Sequence, residues 1–327
     1  MKNPFKNFIP FRLAPKAGGD VREILDFHGD AIFEPFETSD PTGGTWRTLG
    51  FQRIEGEFLH DLDGAGDVLD VQFNERILPA KVRDEHLAQR IAAITEREGR
   101  KPGKKEYAEL RDEVEFDLLP KSHIRRTNVY VMILKGNTTL VFTSSVKKAT
   151  DAMSLILHAI GRHEEVSITP IEPKNDIPSY LTSVVTTNNV DEFPFEDADA
   201  AVLKKSKEVI RIKDTDLSDA QIQSMLREDG FAVHELSMTF FVEAEPVMDF
   251  TLNDKFVFKR CVLPDAKVVE KTDKTEDGNV AFHSLAWLVA TEYRSLLKTV
   301  IDELGGEHLH TAKAEPKKQA QDEEDEL

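Results

Sequence analysis

The chain has a single cysteine, Cys261, in 327 residues. A disulfide framework is therefore excluded, as is any four-thiolate zinc or iron–sulfur site, and a reducing, intracellular compartment follows as the default. No apolar run approaches the roughly 20 residues that a membrane-spanning helix needs. The opening segment carries Lys2 and Lys6 but no long apolar stretch, and Pro4 and Pro10 interrupt it, so neither a signal peptide nor an anchor is expected.

Catalytic signatures are missing too. There is no Gly-x-x-x-x-Gly-Lys-Ser/Thr loop, no His-Glu-x-x-His and no Gly-x-Ser-x-Gly elbow, and Gly43, Gly44 and Gly50 lack dinucleotide-binding spacing. His60-Asp-Leu-Asp-Gly-Ala-Gly-Asp67 resembles a calcium loop at Asp61 and Asp63, but Ala65 and Gln72 fall where ligands are needed, so it reads as a solvated turn. Asp265-Ala-Lys267 after Pro264 looks like a fragment of a metal-nuclease site, yet adjacent residues do not show the convergence of carboxylates that such a site requires. Glu307, His308 and His310 read as an exposed polar helix end, His123 as an exposed or phosphate-contacting side chain, and Cys261 as buried packing. No cofactor and no metal are expected.

What the chain does have is charge of uneven placement. Acids outnumber bases 60 to 42, a net of −18. Taken alone this opposes indiscriminate adhesion to nucleic acid. Residues 1–75 carry −7, residues 187–200 carry −5 and residues 311–327 carry −3, so nearly all of the excess sits in 106 residues. Bases cluster elsewhere: Arg97, Arg100, Lys101, Lys104 and Lys105; Lys121, Arg125 and Arg126; Lys147 and Lys148; and Lys204, Lys205, Lys207, Arg211 and Lys213. One such run is ordinarily a solvated face. Four in an acidic chain make a segregated positive surface, the footprint of a phosphate-binding protein.

Periodicity sketches the elements. Phe8 to Leu13 and Ala31 to Phe36 are short apolar segments within a stretch of strands and loops, and Val68 to Phe73 alternates as a half-buried strand. Val82, Leu87, Ile91 and Ile94 mark a helix ending near Glu98. Tyr107, Leu110, Val114 and Leu118 mark a second from about Lys104, so residues 79–120 form a helical hairpin with a basic loop. A β-hairpin over 129–142, a helix over 146–160 and a strand over 166–171 follow. Residues 172–200 read as a connection with one short helix near 178–185. Then come a strand at 209–213, a helix from Ser218 to Arg227, strands at 231–242, 250–252 and 256–262, a polar loop at 265–279 and a long helix over 282–304. The charged tail beyond it is expected to be disordered. The organisation is a first α+β region (1–78 and 121–175), the hairpin (79–120), an acidic connection (176–200), a second α+β region (201–310) and the tail (311–327).

An ordered set of segments resembles the RdgC family of recombination-associated bacterial proteins. These are Phe5-Lys-Asn through Phe11-Arg-Leu13, Glu75-Arg-Ile-Leu-Pro79, Lys105, Leu110-Arg-Asp-Glu-Val114, Leu118-Leu-Pro-Lys121, Ser145-Val-Lys-Lys-Ala149, Arg211-Ile-Lys-Asp-Thr-Asp-Leu217 and Leu304-Gly-Gly-Glu307. The resemblance spans 5–307. It implies an α+β, horseshoe-shaped subunit, two of which close into a ring-shaped homodimer around duplex DNA. It further implies sequence-nonspecific binding that limits a RecA-type recombinase, and a cytoplasmic, nucleoid-associated location without membrane. Lys121, Arg125, Lys147, Lys148, Arg211 and Lys213 lie on or beside matching motifs, whereas Arg126 stands where a member of the family has an aromatic residue. The family also carries an exonuclease label. Three readings are therefore weighed: a DNA-binding ring, a metal-dependent exonuclease, and an acidic recombinase-binding protein that does not touch DNA.

Overall fold

The computed structural model describes residues 3–187, 194–243, 245–264 and 278–308. The expected loop at 265–279 and the tail therefore lie largely or wholly outside the described residues, as do Asp265, Lys267 and His310. The fold is α+β. Strands β1 (Ile9–Pro15), β2 (Arg47–Gln52), β3 (His60–Asp61), β4 (Gly66–Ile77), β5 (His123–Leu134), β6 (Thr138–Val141) and β7 (Val166–Pro170) form one antiparallel sheet, ordered β2-β4-β5-β6-β1-β7 with β3 on β4. Strands β8 (Phe195–Lys205), β9 (Glu208–Ile212), β10 (Ala232–Val242), β11 (Glu245–Asn253) and β12 (Phe258–Val262) form a second, ordered β12-β11-β10-β8-β9. The α-helices among the described residues are α1 (Val21–His28), α2 (Ala80–Glu98), α3 (Lys104–Leu118), α4 (Val146–Ile160), α5 (Ile177–Thr187), α6 (Ala220–Arg227) and α7 (Gly278–Glu303). None is long and apolar enough to cross a membrane.

Apolar burial divides the molecule into three clusters. The largest joins Phe5 and Phe8 to the inner face of the second sheet, to α5 and α6, and to α7, where Tyr293 is fully buried and donates its hydroxyl to the Phe5 carbonyl at 2.9 Å. The second lies between the first sheet and helices α1 and α4. The third belongs to the hairpin alone: Leu87, Leu110 and Val114, flanked by Ile91, Ile94 and Leu118. Residues Lys6 to Phe8 pair with the edge strand β12, through Phe8 N–H to Phe258 O (2.9 Å), Phe258 N–H to Phe8 O (3.0 Å) and Cys261 N–H to Lys6 O (2.8 Å). The chain's beginning thus connects the two sheets.

Several expectations change. The apolar segment Ala31 to Phe36 falls in two 3₁₀ turns, Gly29–Ile32 and Glu34–Phe36, preceded by the unexpected α1, whose N-cap Asp20 accepts from Arg22 N–H. The helix α6 begins at Ala220, two residues after Ser218, and is capped by Asp219. Strand β4 is not half-buried. Its polar side, Asp70, Gln72 and Asn74, is as buried as its apolar side because the segment around Thr38 and Ser39 crosses it and bonds Gln72 and Asn74. That crossing requires Gly50, since a Cβ there would sit 2.5 Å from the Thr38 Cα. The 60–67 segment is a turn as expected, with Asp63 and Gly64 at positive φ, but it is only partly solvated: Leu62 and Asp67 are buried, and Arg22 engages both Asp61 and Asp67. Cys261 is buried as expected.

Candidate nucleic-acid interface

The long pair β4–β5 runs in unbroken register from Gly66↔Leu134 to Ile77↔His123, and the α2–α3 hairpin grows from its far end. Arg76 fastens that junction. Its guanidinium donates to the carbonyls of Leu119 (2.8 Å), Pro120 (3.0 Å) and Pro41, which fixes the exit of α3 and hence Lys121. With 19 residues, α2 carries its C-terminal end about 28 Å from the sheet at 1.5 Å per residue. Gly99, left-handed at φ 70, ends it and turns the chain into the basic loop.

At this tip lie Arg97, Arg100, Lys101, Lys104 and Lys105, all exposed. Arg97 pairs with Glu98 (2.8 Å), and Arg100 pairs with Glu98 (2.7 Å) and forks onto Glu106 (2.7 and 3.2 Å). These bonds hold both carboxyls below their usual range. Lys105 approaches Glu109 at 3.9 Å, and Lys101 and Lys104 have no ion pair among the described residues. The tip therefore offers less free positive charge than its sequence suggests.

A denser group forms at the hairpin's base. Arg125 bonds Glu75 at 2.7 Å, its register partner on β4, and that bond, aided by the fields of Lys148 and Arg47, lowers the Glu75 pKa against a modest desolvation cost. Arg126, on the opposite face of β5, is held by Asp40 at 2.7 and 2.8 Å. Lys148 lies 5.1 Å from the Phe73 ring centroid and Lys147 is exposed beside it, both in the first turn of α4. Helix dipoles favour acids there, so two lysines and no acid leave the positive end unopposed. Arg47, bonded to Asp151 at 3.0 Å, completes the group, while Trp46 and Phe116 remain exposed nearby on the β2 and α3 sides. Sequence reasoning passed over Arg47 and Trp46. The available signal was an aromatic–basic pair directly after Gly43-Gly44-Thr45.

Arg211 and Lys213 stand apart, on and just beyond edge strand β9 of the second sheet. They line a cleft of about 200 Å³ with Arg260, Ser237 and Thr251. Arg260 escaped the sequence reading because it and Lys259 form only a pair of bases within an otherwise apolar strand. Lys213 is 3.7 Å from Asp214. The structure thus gathers Arg125, Lys147 and Lys148, keeps Lys121 and Arg126 near the hairpin's base, and separates these from the tip and from β9. Such dispersed, exposed cations can hold the phosphates of an extended polyanion and have no means of distinguishing bases. Among the described residues, no three His, Cys, Asp or Glu side chains are grouped to hold a metal ion.

The sequence matches the family model described as "Putative exonuclease, RdgC" over residues 4–307. The chain belongs to the RdgC family. It is 27% identical over 310 residues to the recombination-associated protein RdgC of Shewanella loihica, covering 92% of this chain and 98% of that protein. The RdgC of Haemophilus influenzae is 27% identical over 309 residues, covering 93% and 98%. That of Shewanella oneidensis is 30% identical over 244 residues, covering 72% and 77%. This RdgC-family chain is accordingly recombination-associated in kind, and the matched span takes in all three basic groups.

Proposed function

We propose that this chain binds duplex DNA without sequence preference, as a homodimer that closes around the duplex and in that state restricts a RecA-type recombinase. The observation that carries the reading is the group of Arg47, Arg125, Lys147 and Lys148 at the hairpin's base, assembled from three elements of a molecule whose net charge is −18. Phosphate contacts of this type supply affinity through released counterions, so binding falls steeply with salt. Acidic surface elsewhere repels DNA and confines it to the positive region.

Lys147 is exposed and Lys148 half-buried against Phe73, so the test keeps the melting temperature of the variant as its control on the fold. Lys147→Ala with Lys148→Ala should weaken binding to two unrelated duplexes by the same factor and reduce the log–log salt slope by roughly 2, measured by fluorescence anisotropy. Binding that is unchanged between low and high salt contradicts the reading, as does a loss confined to one sequence. Sedimentation of the free chain and of its complex on circular and linear duplex tests the closed dimer. The family's printed description brings a second reading, exonuclease activity. It is favoured if end-labelled duplex is degraded with Mg²⁺ and a carboxylate substitution abolishes the degradation.

A further inference from the structure

A different positive site lies at the opposite end of the first sheet. The turn after β5 places Lys135 against α7, where Arg294 and Lys298, one helical turn apart, face it across a cleft of about 270 Å³. Leu297 and Ile301, both buried, form part of its lining. Arg12 also lines the cleft, but its charge is taken by Glu307 at 2.7 Å. Lys135, Arg294 and Lys298 have no ion pair among the described residues, although most arginines of the molecule do. The one acid on the lining is Asp302.

Two like charges at i and i+4 on a helix repel each other. A third cation brought to the same cleft by a separate element adds to that cost. Three cations against one carboxylate leave a local charge of +2, which matches a phosphoryl group at about −1.5 to −2 better than a single carboxylate. The arginine supplies a planar fork and the lysines supply point charges, the usual combination on phosphate oxygens. The turn is fixed as well: Gly136 N–H donates to Asp20 (2.8 Å), and the Gly136 carbonyl accepts from Arg12 (3.2 Å). About ten residues of extended strand, roughly 33 Å, separate Lys135 from Arg125, so one phosphate cannot serve both places.

The geometry points to the cleft of Lys135, Arg294 and Lys298 as a binding site for a terminal phosphoryl group, carried by a free nucleotide or by the 5′ end of a DNA strand. It is independent of duplex binding at the hairpin's base. The test titrates the full chain with ATP in the absence of metal, and separately compares 5′-phosphorylated with 5′-hydroxyl duplex. Arg294→Ala with Lys298→Ala should weaken ATP binding by about tenfold or more, with Lys135→Ala giving a loss from the other side of the cleft. A nucleotide source is indicated if ATP binding is lost while both duplexes bind as before. A DNA-end source is indicated if only the preference for the 5′-phosphate disappears. The site is overturned if ATP does not bind at millimolar concentration and the 5′-phosphate confers no preference, or if the variants leave both signals unchanged. Retention of the wild-type melting temperature by the variants, whose altered residues are exposed, excludes unfolding as the cause.

Discussion

Asp70 shows what a strand buried on both faces costs. It is 4% exposed, its Oδ2 accepts from Asn128 at 2.7 Å, and its Oδ1 is buried without a hydrogen-bond partner. Burial raises its pKa to about 6, only partly offset by the Asn128 bond. Because the folded value lies above the unfolded one near 4, the native state is not penalised below both values, loses stability as pH rises between them, and carries the full penalty above about 6. Asp70→Asn should therefore stabilise the protein by about 2 kcal/mol at pH 8, with the gain vanishing near pH 4, as read by thermal melts across pH. The alternation of residues 68–73 was plain in the sequence, but the burial of the polar side was not, because it comes from Thr38 and Ser39, some 30 positions away. Glu307 teaches the same lesson: it looked like an exposed helix end and instead clamps Arg12, with its side chain 12% exposed.

Elements with strong internal periodicity were legible. Helices α2, α3 and α4 lie where their apolar stripes put them, and Gly99 and Gly103 bound the basic loop. Elements held mainly by tertiary contacts were not. Helix α1 has eight residues and buries only Val21 and Leu25, and β8 begins with an acid-rich stretch that resembles a connection. Elements are also where a pH response is expected. His60 of β3 meets His283 of α7 (Nε2 to Nδ1, 3.1 Å), and the other ring nitrogen of His283 lies 3.1 Å from Asp63. Burial, with a smaller contribution from His283, lowers the His60 pKa against the opposing fields of Glu55, Glu57 and Asp61. A depressed histidine contributes stability above its unfolded value near 6.5 and loses it as pH falls through the folded value. Hydrogen exchange at the start of α7, corrected for intrinsic rates, should accelerate between pH 7.5 and 5.5. His60→Phe should remove that acceleration, and a variant with the same pH response as the parent would contradict the role.

At the scale of the molecule, the ends of the sequence hold the middle together. Arg12 donates from Nε and Nη2 to Glu307, across 295 positions, and Gly305 and Gly306 bring the end of α7 onto Lys174 and Asn175. Removing either partner strands a largely buried charge. Glu307→Ala should lower stability by about 2 kcal/mol, and the Arg12→Met, Glu307→Leu double variant should lose less than the Glu307 variant alone, as measured by urea unfolding. The overall α+β class and the positive groups were readable from composition and spacing. Their separation was not, since it depends on the length of α2 and on β9 belonging to another sheet.

The pairing of Lys6 to Phe8 with β12 also dictates the order in which the protein can form. During synthesis the first sheet is complete in sequence by Pro170, yet the backbone of Lys6 and Phe8 just before it lacks its β12 partners until residues near 260 leave the ribosome. Phe5 and Phe8 can meet Tyr130 and Phe142 early, but their burial is completed only by the helix that ends at Glu303. Contacts so distant in sequence make closure a late and slow event. A nascent chain stalled before β12 should therefore hold a protease-sensitive N-terminal segment that becomes protected only once β12 and α7 have been made.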